Sequence, residues 1–435
     1  LEARVRVGSP KLDNGNFVVP EASDIDGTAA INLPLDVDER LAKRDTWLVT
    51  DSAYKEALIQ LNAKLEARKA GGTLRPTEIP AWTDTKPVVS EEPVLVPELE
   101  TLDELETRAK AVSATLRDQP GLRDSRVALT SYLERRWYLT TEGTSVTDTR
   151  RASGVLIAVS GQADDGQLLH NYFMRYGHTA KDLPADKDLT TEAKHLGESI
   201  VALAKAPIFD RYTGPVLFEA EGAVGLVRYS LAPNLGGTPV PEGLSPQEAR
   251  QVGGALTDKV GLRVTAPQLT VVDDPTAKDA NGKALIGGYK TDDEGVAAQK
   301  VEVIKDGTLK TLLLSRTPSQ KDQVSNGHAR CCSVSSPGDG GAFHGIATNL
   351  ILTAKGAVSR KALESRLVSA ARGEGLKYGL LIRRFDDAAI TGAPEFTRRE
   401  LVQMIKSSDQ SLPPPTVMAY RVHPDGKQEL VRGVQ

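Results

Sequence analysis

The chain has 435 residues, 40% hydrophobic, 26% charged and 5% aromatic, enough to bury more than one sizeable core. Its formal net charge of -4 gives no basic face for nucleic acid and no polybasic surface for anionic lipid. No apolar run is long enough to span a bilayer, and the only two cysteines, Cys331 and Cys332, are adjacent, which excludes a disulfide framework.

Leu1-Glu-Ala-Arg-Val-Arg-Val7 alternates like a strand in mid-course. It reads as a processed or trimmed chain from which an upstream targeting segment could have been removed. The first strong helix is expected over residues 51–69, where Tyr54, Ala57, Leu58, Leu61 and Leu65 make one apolar stripe. Residues 71–100 are rich in proline and read as an extended arm. Thr101-Leu-Asp-Glu104 is a capping box opening a helix with Leu102, Leu105, Ala109, Val112 and Leu116 inward. Between 127 and 170 the period becomes that of strands, clearest at Trp137–Thr141 and Gly154–Ser160. A helix follows from about Thr190 to Ala204, with Leu196, Ile200 and Leu203 inward. The composition shifts at Ala206-Pro207, which places a domain boundary between 1–205 and 206–435.

The second half is richer in strands. Asp306-Gly307 joins Val301–Ile304 to Leu309–Leu314 as a hairpin, and Pro424-Asp-Gly426 joins Val417–Val422 to Gln428–Val431 as another. Capping boxes at Ser245–Glu248 and Thr397–Glu400 start helices, and a helix over Ser359–Arg372 is closed by Gly373 or Gly375. Mixed strands and helices without a βαβ rhythm predict an α+β fold: a mixed N-terminal α/β domain, then a strand-rich C-terminal domain with hairpins and capped helices.

Gly214-Pro-Val-Leu-Phe218-Glu-Ala-Glu221-Gly-Ala-Val224-Gly225-Leu226 reads as a strand running into a helix. This segment resembles the central motif of the TldD/PmbA proteins, once called modulators of DNA gyrase. Val271–Thr276, Thr291–Val296, Gly307–Arg316, Ser325–Arg330, Ala347–Leu350 and Tyr378–Arg383 are similar to that family in the same order. The resemblance covers roughly residues 190–435 well and the first half loosely. In the family's peptidase subunit the central segment carries HExxxH, whose histidines hold zinc while the glutamate activates water. A five-residue spacing exceeds a regular helical turn, so a locally widened turn is expected there.

Aligned on that motif, this chain has Ala220 and Gly225 at the histidine positions and retains Glu221; a shift of one residue gives Glu219 and Val224. Neither alanine nor glycine has a side-chain lone pair. The pattern looks more like the PmbA (TldE) branch, whose members lack the metal. The alternative for Glu221 is a first-turn carboxylate near a helix dipole. A C-terminal cysteine completes the family's zinc site; the chain stops at Gln435, where a matching tail segment is expected to be missing.

Three further groups are candidates. Asp292-Asp293-Glu294 could bind a hard cation, although such a run before glycine is more often a solvated turn. His328-Ala-Arg-Cys331-Cys332, with His344, could take zinc or supply a nucleophile, but lacks paired Cys-x-x-Cys spacing. Ser325, Asn326, Gly327, His328 and Arg330 are the better contact groups. Asparagine pairs with peptide backbone through donor and acceptor, and arginine offers a fork to a carboxylate. Against this, Asn326-Gly327 could be a hairpin turn and nothing more.

The resemblance implies a TldE-like non-catalytic subunit, with no cofactor of its own, that forms a dimer cavity with a zinc-bearing TldD-like peptidase. Its substrates would be unfolded or short peptides. The rivals are an active metallopeptidase-like enzyme with a non-standard site, and a homodimeric peptide-binding protein. Neither nucleic acid nor membrane is an expected partner, and the expected compartment is the cytoplasm, with removal of a signal peptide left open.

Overall fold

A computed structural model describes residues 1–434 apart from 21, 23, 24, 34, 35, 37, 71–78, 93–98, 210, 246, 247, 250–253, 320–323, 331–342, 388, 389 and 391–413. Helices and sheets are mixed throughout, an α+β fold.

At the N-terminus a short ladder pairs Glu2–Arg4 with Thr28–Ala30, and helix α1 (Glu39–Lys69) lies against it. The helix starts twelve residues before the expected stretch, where Asp38 caps the Arg40 and Leu41 amides. Its buried face shares only Ala57 with the predicted apolar stripe. It consists of Asp45, Val49, Ala53, Ala57, Gln60 and Lys64. Gln60 donates to the Phe17 carbonyl at 2.7 Å and accepts from Asn14 at 2.8 Å, and Lys64 donates to the Gly15 carbonyl at 2.7 Å. The irregular 13–17 segment has backbone groups to satisfy, so polar side chains turn inward. Trp47, Leu48, Tyr54 and Ile59 are left exposed.

The predicted 101–104 capping box opens α2 (Leu102–Ala114), with Thr101 Oγ1 accepting from Glu104 N and Glu104 Oε2 from Thr101 N. Leu102 is exposed rather than inward; Val112 and Leu116 are buried. The strands expected in fragments form one long hairpin, β1 (Leu122–Leu139) against β2 (Ser145–Gln162). At about 3.3 Å per residue each arm runs about 60 Å. Across its other edge β2 pairs first with Val89–Glu91, in the proline-rich stretch, and then with β3 (Leu168–Gly177). Two parts of that stretch, 71–78 and 93–98, lie outside the described residues.

The hairpin is covered on opposite faces at its two ends. Buried positions on β2 are Val146 and Asp148, then, after an intermediate run, Ser153, Val155, Ile157, Val159 and Gly161. Even-numbered residues face a core at one end, and odd-numbered ones at the other. The odd face meets α2 and α3 (Asp186–Lys205), whose Leu196, Ile200 and Leu203 are buried as predicted. Ile157, Leu189 and Ile200 have no exposed surface, and burying each contributes about 2 kcal/mol.

Strand β4 (Val216–Phe218) leads into the short helix α4 (Glu221–Leu226). The next sheet orders β7-β6-β5-β8, from β5 (Leu269–Asp273), β6 (Val301–Lys305), β7 (Thr308–Leu309) and β8 (Leu350–Ala354). Its predicted turn has positive φ at both Asp306 (48°) and Gly307 (79°), which a two-residue hairpin needs. Helix α5 (Arg360–Gly373) is capped by Ser359 and followed by Gly375 at φ 73°. The last sheet orders β11-β10-β9-β4, from β9 (Gly379–Phe385), β10 (Thr416–Val422) and β11 (Gln428–Val431), with β4 parallel to β9. The Ser245 and Glu248 bonds of the predicted box are present; the Thr397–Glu400 box lies outside the described residues.

Candidate functional site

The central segment is built on β4, which the β9 register fixes at Val216↔Leu380, Leu217↔Leu381 and Phe218↔Ile382. The chain then reverses through Ala220, at φ 48° and ψ -119°, a conformation that costs a residue with a Cβ roughly 1–3 kcal/mol. The Glu219 amide donates to the Ile382 carbonyl at 2.9 Å. A Cβ on Gly222 would lie 2.4 Å from that same oxygen, so the helix can start this close to β9 only with glycine there. The widened turn expected between 220 and 225 lies one turn later. Glu221–Leu226 is regular helix, and Val227–Leu231 is a π-helical turn.

Both carboxylates of the segment are occupied. Glu221 accepts from Arg175 Nη1 at 2.9 Å and is paired with Arg384. Glu219 accepts from Arg383 Nε at 2.9 Å and is paired with Arg360. The Cβ direction of Gly225 points into the Phe385 ring, 2.6 Å from its Cδ2, so no larger side chain fits there without displacing that ring. Zinc needs converging imidazole, thiolate or free carboxylate donors. Ala220 and Gly225 supply none, Glu219 and Glu221 are each held by two guanidinium groups, and the segment does not fit a zinc ion.

The Ser325–Arg330 segment is placed elsewhere and shares no partner with Glu221. Asn326 pairs with backbone through both acceptor and donor, but the backbone is the chain's own: Oδ1 accepts from Leu314 N at 2.7 Å and Nδ2 donates to Leu312 O at 2.8 Å. Ser325 Oγ donates to Leu314 O at 3.2 Å. Gly327 has φ 74°, and a Cβ would meet Ala297 O at 2.3 Å. His328 is fully buried, with Nδ1 2.9 Å from Asn326 O and Nε2 3.1 Å from Asp273 Oδ2, the latter off the line of a good hydrogen bond. Arg330 lies across a short ladder from His344, donates to Asp293 at 3.1 Å and sits over the Tyr289 ring. Cys331 and Cys332 lie outside the described residues.

The acidic triplet forms a turn, as expected, but not a solvated one. Asp292 has no exposed surface and Glu294 only 4%. Asp292 accepts backbone N–H groups from Glu294, Val296 and Ala329 at 3.0, 2.8 and 3.1 Å. Burial, and next the neighbouring Glu294, push its pKa up to about 7; burial also raises that of Glu294. Glu294 binds Arg6 Nη2 at 2.9 Å and the Arg316 amide at 2.5 Å. Arg316 forks onto Glu142 at 2.6 and 2.7 Å. Arg136 on β1 donates to Asp293 at 2.8 Å and to Asp148 on β2 at 3.3 Å. This is the cover of the even face of the long hairpin, so the turn ties residues before 150 to residues after 290.

Among the described residues no three His, Cys, Asp or Glu side chains are grouped to hold a metal ion. The open end of the odd face holds a shallow cavity lined by Glu92, Arg135, Trp137 and Thr147, and none of the predicted site residues lines it. Asp148, Arg136 and Arg316 were missed in sequence. For Arg136 and Asp148 the signal was charge at inward positions of an alternating strand, which looks like solvent-facing charge until the cover is known; Arg316 lies outside the strands.

Residues 211–383 match the family described as PmbA/TldA metallopeptidase C-terminal domain. A metalloprotease of Methanocaldococcus jannaschii is 39% identical over 88 residues, 20% of this chain and 18% of that protein. A metalloprotease TldD homologue of Haemophilus influenzae is 35% identical over 101 residues, 23% of this chain and 18% of that protein. The aligned stretch thus spans under a fifth of either relative. In fold, the chain is similar to TldE of Thermococcus kodakarensis (TM-score 0.52, 16% identity, 88% of this chain and 72% of that one). It is also similar to a Thermotoga maritima protein described as a modulator of a DNA gyrase (TM-score 0.55, 15% identity, 89% and 74%). The ordered motifs and the domain match agree: residues 211–383 are similar to the PmbA/TldA metallopeptidase C-terminal domain, and the chain as a whole shares the fold of TldE and its structural relatives.

Proposed function

We propose that this chain is a TldE-like, non-catalytic member of the family that completes a peptide cavity with a zinc-bearing, TldD-like relative. The observation that carries this reading is the state of the central segment. Its glutamates are committed to arginines, and its Gly225 position is closed by Phe385. The reading does not depend on where the motif is registered. Pairs five apart across the π-helical turn, such as Val227 and Ala232 or Arg228 and Pro233, also lack two metal ligands. The strained Ala220 supports it too: backbone strain usually aims a working side chain, and a methyl group has no such work.

In this reading the partner would lie against α1, which leaves Trp47, Leu48, Tyr54 and Ile59 exposed. In the complex this chain would narrow access to the partner's zinc and hold extended peptides by backbone pairing.

The test is a peptidase assay of this chain alone, of the zinc-bearing relative alone, and of the two mixed. Activity that is chelator-sensitive, absent from this chain alone and raised by mixing is the expected result. Glu221→Gln should leave the mixture's rate within about twofold, against the 10²-fold or greater loss expected for a general base. Stoichiometric zinc on this chain alone, lost in Cys331→Ser/Cys332→Ser, would overturn the reading in favour of an enzyme with a non-standard site.

A further inference from the structure

Arg150 on β2 sits where the cover of the long hairpin changes face. Its Nε and Nη2 are buried and have no hydrogen-bond partner. The nearest acid, Asp148 Oδ2, is 3.8 Å from Nε, beyond hydrogen-bond length. Unsatisfied buried guanidinium N–H groups are costly and call for an acceptor.

The neighbouring acids are already taken. Asp148 accepts from Arg136 Nε and Nη2, both at 3.3 Å. Asp293 Oδ1 is shared by Arg136 Nη1 at 2.8 Å and Arg330 Nη1 at 3.1 Å. Glu134, directly across the ladder, is bonded by Tyr132. Thr291 Oγ1, whose residue supplies a carbonyl to Arg136, is likewise buried without a partner. Burial comes first, then Arg136 and Arg330, in lowering the pKa of Arg150, as expected of cations gathered with too few anions.

We infer that Arg150, with Arg136 and Arg330 beside it, forms a binding site for a carboxylate. A planar carboxylate accepts two parallel N–H bonds from one guanidinium, the pairing Arg150 lacks. As a carboxylate site it stands on these contacts alone; as the place where a peptide's carboxylate is held, it rests on the proposed function.

The test measures the thermal midpoint of the full chain, and needs no peptidase activity. The probes are acetate, acetyl-tetraalanine as free acid, its amide, and an amide with a central aspartate. At matched ionic strength, acetate and the acid peptide should raise the midpoint saturably while chloride and the plain amide do not. The aspartate amide separates a side-chain carboxylate from a C-terminal one. Arg150→Gln should be at least as stable as the parent without ligand, because it removes an unpaired buried charge, and should lose the rise. Arg150→Lys, keeping charge but not the fork, should weaken binding about tenfold; Arg126→Gln, exposed on β1, should change nothing. The site is overturned if chloride matches acetate, if Arg150→Gln keeps the rise, or if Arg150→Gln is less stable without ligand, which would mark Arg150 as a structural ion-pair member.

Discussion

Carboxylates and arginines meet in two places, and the outcome differs. Around α4, Glu219 and Glu221 stand partly in solvent and each finds two guanidinium partners from neighbouring elements, Arg360 among them with more than half its side chain exposed. At the 292–294 turn, Asp292 and Glu294 are withdrawn from water, and Asp292 is satisfied by backbone N–H groups rather than by a cation. Exposed pairs contribute little to stability, whereas a buried carboxylate cannot lose its partners cheaply. The α4 segment, with Arg360 largely in solvent, therefore has less to lose than the turn, which looked like surface and ties residues before 150 to residues after 290.

The sharpest way to break this contrast is Asp292→Ala, which strands three buried amides. We expect a loss of about 3–4 kcal/mol in denaturant unfolding, against less than about 1 kcal/mol for Glu219→Ala. Equal effects would mean that the two clusters do not differ.

The same contrast has a pH signature. An unfolded aspartate titrates near 4, whereas folded Asp292 titrates at about 7. Between these values the folded chain holds the extra proton, so stability falls as pH rises through the window and levels off above it. From pH 5.5 to 8 the thermal midpoint should therefore drop by several degrees. Asp292→Asn, which mimics the protonated form, should flatten that slope. A slope unchanged in Asp292→Asn would place the titration on another group.

The bridge from this turn to the hairpin can be graded more finely. Arg316 forks onto Glu142 and donates Nε to the Thr83 carbonyl at 2.8 Å. Arg316→Lys keeps the charge but loses the fork, and should cost about 1–2 kcal/mol. A neutral result would show that only charge matters there.

What could be read from the sequence tracks how locally each feature is determined. The Thr101 box, the Asp306-Gly307 turn and the Leu196/Ile200/Leu203 stripe depend on residues within a turn of each other, and the structure has all three. The α1 face was misread because Gln60 and Lys64 answer to backbone at residues 15–17, far away in sequence. The acidic triplet was misread for the same reason. Its burial comes from Arg6, Tyr138 and Arg316, and nothing within the triplet announces them. At the candidate site the absence of histidines is plain in sequence, but the closure of Gly225 by Phe385 needs the β4–β9 pairing.

The smallest expected effect sharpens the quiet side of the contrast. Under the proposed non-catalytic role of α4, the strain at Ala220 (φ 48°, ψ -119°) can be relieved without functional loss. Glycine reaches that conformation freely but adds entropy to the unfolded chain, costing a few tenths to one kcal/mol. Relief of roughly 1–3 kcal/mol outweighs this, so Ala220→Gly should stabilise the chain by about 1 kcal/mol in denaturant unfolding. If Ala220→Gly instead lost stability, the alanine methyl would be contributing contacts that outweigh the strain. If it kept stability but abolished the activity expected of the mixture under the proposed function, the rigid turn itself would be part of the proposed cavity.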